Sequence, residues 1–101
     1  MFGNLVSELA EILNALANET RLEIARRLAL EKEVACERLA EELPLSRPAL
    51  SHHVRVLRTS RLLRVTRKGQ YLFYSLNEEY LAEIAPEILE LLRKEESEWQ
   101  R

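Results

Sequence analysis

The spacing of apolar residues changes once along this 101-residue chain, and that change limits the folds open to it. Up to Leu57 the apolar positions recur every three or four residues, the period of a helix face. From Leu63 to Leu76 they alternate singly, the period of a strand. The helical part divides at its breakers. Asn4 is a capping residue for a first helix with Leu5, Leu9, Ile12, Leu13 and Leu16 on one stripe, and Asn18 for a second with Leu22, Ala25, Leu28 and Ala29 inward and Ile24 at the edge. Lys32-Glu33 interrupts the pattern. A third helix turns Cys36, Leu39, Ala40 and Leu43 inward and ends at Pro44, because proline disfavours helix in the residue before it. Ser46 caps a fourth helix, with Pro48 in its first turn and Leu50, Val54 and Leu57 inward. Two strands follow around a turn at Arg67-Lys68-Gly69-Gln70. A last helix runs from about Asn77, kinked at Pro86. The expected fold is mainly α with a small β-hairpin, in the order α-α-α-α-β-β-α. It forms one winged helix-turn-helix domain over 1–101: helix-turn-helix at 35–59, wing at 62–76, and flanking helices at 1–17 and 77–101.

Charge is segregated along this pattern. No acidic residue occurs between Pro44 and Asn77, while Arg47, Arg55, Arg58, Arg61, Arg64, Arg67 and Lys68 all lie there. The rest of the chain holds 8 of the 15 basic residues and all 17 acidic ones. A net charge of −2 therefore hides one face suited to a polyanion, with double-stranded DNA as the expected partner. The fourth helix would offer Ser46, Arg47, Pro48, Ser51, His52, Arg55 and Arg58. Arg47 suits a bidentate contact with guanine, Ser51 and His52 reach base edges or phosphates, and Arg55 and Arg58 grip the backbone. The hairpin would add Arg67, Lys68 and Gln70. His53 lies on the inner side and reads as a hydrogen-bonded core histidine.

The outer helices carry more apolar surface than one small core absorbs. Leu5, Leu9 and Ile12 of the first helix, with Leu81, Ile84, Ile88, Leu91, Leu92 and Trp99 of the last, are the expected interface of a homodimer. No apolar run approaches the ~18 residues of a membrane helix. The start of the chain does not read as a signal peptide, and one cysteine suits a reducing compartment. The chain is expected to be cytoplasmic, with no membrane partner. Enzymatic readings find no support: there is no aspartate, no glycine-rich phosphate loop, and the two histidines are adjacent.

Between Leu16 and Leu76 the chain resembles the arsenical-repressor (ArsR/SmtB) family. The resemblance rests on ALANETRLEIARRL at 15–28, ERLAEELPLSRPALSHHVRVLR at 37–58 and LLRVTRKGQYLFYSL at 62–76. It implies a dimer joined by its first and last helices, a fourth helix in the major groove, and a repressor released by an effector, often a metal ion. Three departures bear on that implication. The family's cysteine pair, in a segment like ELCVCDLA, is replaced by EVACERLA at 33–40, so Ala35 and Glu37 flank a single inward Cys36. The last helix has neither histidine nor aspartate for the family's other metal site. Arg61 stands where the family usually ends the recognition helix with glycine, a position strained for arginine if left-handed. The expectation is therefore a repressor without a cofactor or metal and with Cys36 a buried inert thiol. A metal or redox response through a non-standard site stays open. So does a winged helix whose arginine face meets an acidic protein instead of DNA, which would not bind duplexes at physiological salt.

Overall fold

The computed structural model describes residues 3–95. Six helices and three strands follow one another: α1 (Asn4–Leu16), α2 (Glu19–Glu31), β1 (Glu33–Ala35), α3 (Cys36–Glu42), α4 (Arg47–Thr59), β2 (Leu63–Lys68), β3 (Tyr71–Leu76), α5 (Glu78–Ile84) and α6 (Pro86–Leu92). The cap chemistry accounts for most boundaries. The Asn18 side chain accepts from the Arg21 N–H and that of Ser46 from the Ala49 N–H, while Pro48 occupies the first turn of α4. The Asn77 side chain accepts from the Tyr80 N–H and starts α5. Leu43 is extended, at φ −95° and ψ 140°, as a residue before proline must be, so α3 stops and the turn to α4 begins. Asn4 is not a cap: Gly3 holds that position and Asn4 is the first helical residue.

Two features depart from the expected order. The interruption at Lys32-Glu33 leads into a short strand, so the hairpin is part of a three-stranded antiparallel sheet of order β1-β3-β2. Val34 pairs with Tyr74, and β2 pairs with β3 from Leu63↔Leu76 to Lys68↔Tyr71. The strands thus include Arg67 and Lys68, leaving a two-residue turn, Gly69-Gln70. Gly69 takes φ +64° there, in keeping with glycine's preference at the first position of a II′ turn. The second departure is at Pro86. Ala85, at φ −149° and ψ 69°, closes α5 and opens α6, so the last helix is broken rather than kinked.

One core holds the elements together. Ile12 of α1, Ile24 and Leu28 of α2, Val34 of β1, Leu39 of α3, Leu57 of α4, Leu81 of α5 and Leu92 of α6 are all fully buried within it. Ile24 sits inside that core rather than at its edge, and Leu22 is only partly buried. Among the described residues no helix is long and apolar enough to cross a membrane.

α4 ends in a six-residue cap built on arginine. Arg61 is left-handed, at φ +69°, and its N–H donates to the Arg58 carbonyl while the Leu62 N–H reaches back to Leu57 at 3.0 Å. These two bonds define a Schellman motif, in which the residue at this position is usually glycine. The strain is offset by what the side chain does. Its guanidinium lies 4.3 Å from the Tyr80 ring centre and 3.4 Å from the Glu8 carboxylate, tying the end of α4 to α5 and α1.

Candidate nucleic-acid interface

The ten residues expected to contact DNA are all exposed. Seven of them lie on α4 or its cap, outside the buried Leu50–Val54–Leu57 stripe, and three at the end of the hairpin. Their charges are not equivalent. Among the described residues, Arg47, Arg55, Arg58 and Arg67 form no ion pair, whereas most other cations do. Arg61 meets Glu8, Arg64 meets Glu79, Lys68 meets Glu33 at 2.6 Å, and Arg93 meets Glu78. Among the described residues, the exposed arginines left without carboxylates are those of the α4 face and one wing strand.

Strand alternation separates the two wing cations. Arg67 pairs with Leu72, and Lys68 with Tyr71, so they emerge on opposite faces of the sheet. Leu72 shares its face with Val65 and Tyr74, which line a cleft of about 240 Å³ against Ser51, Val54, Arg55 and Arg58 of α4. Arg67 is therefore on the face that turns to α4. Lys68 is on the other, over the Phe73 ring at 5.0 Å and bonded to Glu33.

Behind α4, His53 is half-buried rather than fully inside. Its Nδ1 lies 3.4 Å from Arg21 Nη1. A guanidinium only donates, so Nδ1 is the acceptor and the ring is neutral with its proton on Nε2. Desolvation, the Arg21 charge and His52 all hold its pKa below the usual histidine value. Arg21 in turn donates through Nε to the Ala15 carbonyl at 2.6 Å and through Nη2 to Asn14. This arginine, which sequence reasoning did not single out, fastens the end of α1 and the inner side of α4 to α2. An arginine in a helix carries no local signal for such a role.

Cys36 is half-buried, and its Sγ accepts from the Tyr74 hydroxyl at 3.1 Å. Burial first, then that bond, push the Tyr74 pKa well above the ordinary tyrosine value. Ala35 and Glu37 flank the thiol, and among the described residues no three His, Cys, Asp or Glu side chains could hold an ion.

The residues expected at a dimer seam fall into separate groups. Leu5 and Leu91 are exposed, at 59% and 47%, while Leu9, Ile84 and Ile88 are partly buried against the core. Ile12, Leu81 and Leu92 are at most 1% exposed. They are used up inside this chain and leave no surface for a partner, because the helix stripes that hold them face the chain's own core. Val6 and Leu13, at 55% and 50%, take their place on the surface. Trp99 lies outside the described residues.

The chain's relatives agree with this arrangement. A helix-turn-helix domain model matches residues 16–66. The transcriptional repressor SmtB homolog of Synechocystis is 32% identical over 87 residues, covering 86% of this chain. The arsenical resistance operon repressor of Staphylococcus xylosus is 38% identical over 74 residues, covering 73% of this chain and 70% of that protein. Among solved structures, HlyU from Vibrio cholerae superimposes with a TM-score of 0.76 at 33% identity, covering 90% of this chain and 94% of that one. The chain spans 56–65% of the length of three curated matches, the Synechocystis protein among them. The helix-turn-helix, the wing and these matches together establish that the chain belongs to the ArsR/SmtB family of winged helix-turn-helix transcriptional regulators.

Proposed function

We propose that the protein is a DNA-binding transcriptional repressor acting as a homodimer on a palindromic operator, without a metal effector. The observation that carries this reading is the set of four exposed arginines, on α4 and the facing wing strand, with no carboxylate partner among the described residues. Cations on a folded surface rich in glutamate usually find counter-charges. A group kept free of them suits a ligand that brings its own negative charge, as the phosphate backbone does. The names of relatives, repressors of arsenical resistance among them, support the same reading.

In this reading Arg47, at the start of α4, reads a guanine edge. Arg55, Arg58 and Arg67 neutralise phosphates on either side of the helix–wing cleft. Apolar side chains of α1 and α6 pair across a two-fold axis and bring two recognition helices about 34 Å apart, one turn of DNA. The test is selection of bound fragments from the host genome, followed by a salt titration of the best fragment. The reading expects an inverted repeat and a steep fall in affinity with salt. Equal affinity for all duplexes at physiological salt, or none, would sink it.

A further inference from the structure

A groove of about 360 Å³ separates α1 from α4, on the side of α4 away from the wing. Its volume falls at the lower end of small-molecule sites, which run from roughly 300 to 1,000 Å³. Its floor is apolar, from Ala15 and Val56. Its two walls carry opposite charges that do not meet. α1 contributes the Glu11 carboxylate, and α4 contributes Arg55 with His52 beside it. Neither Glu11 nor Arg55 has an ion-pair partner among the described residues.

The groove lies clear of the surface assigned to dimer contacts. At 100° per residue, Glu11 and Asn14 fall on one flank of α1, and the exposed Val6 and Leu13 on the other. Covering the apolar flank with a second copy leaves the charged flank open.

We propose that this groove is an effector site for a small zwitterion with an apolar body, of the class of an apolar α-amino acid. Its carboxylate pairs with Arg55 and its ammonium with Glu11, while its side chain covers Ala15 and Val56. The site is coupled to DNA through a shared residue. Arg55 lines this groove and also the cleft between α4 and the wing. A guanidinium drawn to a carboxylate in the groove is withdrawn from a phosphate, so ligand and DNA oppose each other. This coupling rests on the DNA-binding reading above; occupation of the groove does not.

The test uses L-phenylalanine on the full-length protein, followed first by amide NMR shifts without DNA. Saturable shifts at Glu11, Ala15, Arg55 and Thr59 are expected at millimolar concentration. Benzoate and phenethylamine, each lacking one charge, should bind at least about tenfold more weakly, and so should phenylalanine to Glu11→Gln. Anisotropy of a labelled random-sequence duplex at low salt then reads the coupling. Saturating phenylalanine should weaken duplex binding about fivefold or more in the wild type and not in Glu11→Gln, whose own DNA affinity is unchanged. Absence of saturable binding by ~10 mM, shifts centred elsewhere, or equal binding of benzoate would overturn the site. A duplex bound equally with and without phenylalanine would overturn the coupling alone. A duplex not bound at all would overturn the DNA reading, with the groove still decided on the free protein.

Discussion

At the scale of single residues, counter-charge separates cations that sequence alone makes look alike. Arg47→Ala should cost ~1–3 kcal/mol of binding to the selected operator and relax one base position, as measured by competition with substituted duplexes. Arg67→Ala should weaken all duplexes alike and lower the salt slope by about 1. Lys68→Ala should lower that slope by less, because Lys68 is already bonded to Glu33. His53 makes a separate prediction about pH. Its folded pKa is depressed, so the unfolded chain takes up the proton first. The contribution of this residue is complete above the unfolded value of about 6.5 and is lost as pH falls toward the folded one. Thermal midpoints measured from pH 7.5 to 5.5 should fall more steeply for the wild type than for His53→Gln. Parallel curves would show that folding does not depress the His53 pKa.

At the scale of elements, what the sequence revealed and what it hid have physical reasons. The caps at Asn18 and Ser46, the stop before Pro44 and the hairpin around Gly69 were legible because each rests on local chemistry. The alternation at 63–76 was legible because six paired residues per strand are enough to show a period. β1 was not, since three residues show no period and their pairing with β3 spans about forty positions. The break at Ala85 was half visible: proline marks the place, but tertiary packing decides between a bend and a new helix. The groove between α1 and α4 had no signal at all, as its walls come from helices far apart in sequence. Arg61 was flagged as a strained position, and it is left-handed. Lys32 was not, although it takes φ +72° and ψ −52° between α2 and β1, a conformation that costs side-chain-bearing residues on the order of 1–3 kcal/mol. Its compensation is slight, an exposed pair with Glu78 worth a few tenths of a kcal/mol. Lys32→Gly should therefore stabilise the fold by ~1 kcal/mol, read as a higher denaturant midpoint at constant slope. No change, or a loss, would mean that the strain is relieved in solution.

At the scale of the whole molecule, burial decides which apolar residues remain for assembly. Leu92 and Leu91 are both expected at the interface, yet one is core and the other surface. A glutamate at Leu92 would unfold the chain and say nothing about dimers. Leu13→Glu with Leu91→Glu should instead give a folded monomer by sedimentation, with circular dichroism unchanged and operator binding lost. A wild type that is monomeric at micromolar concentration would end the dimer model and the palindrome with it. Stoichiometric zinc, cadmium or arsenite should leave operator affinity unchanged, and a chelator-reversible loss of tenfold or about 1.4 kcal/mol would reveal a site built from other ligands. The sheet order has a further consequence. Because β3 lies between β1 and β2, its Phe73–Ser75 stretch is hydrogen-bonded along both edges and cannot fray without opening the strand that leads into α3. Hydrogen exchange at Phe73, Tyr74 and Ser75 should then approach the rate set by global unfolding. In the proposed complex this backed stretch meets the duplex already ordered, so association is spared there the ~1–2 kcal/mol per residue that stiffening a loose loop would take.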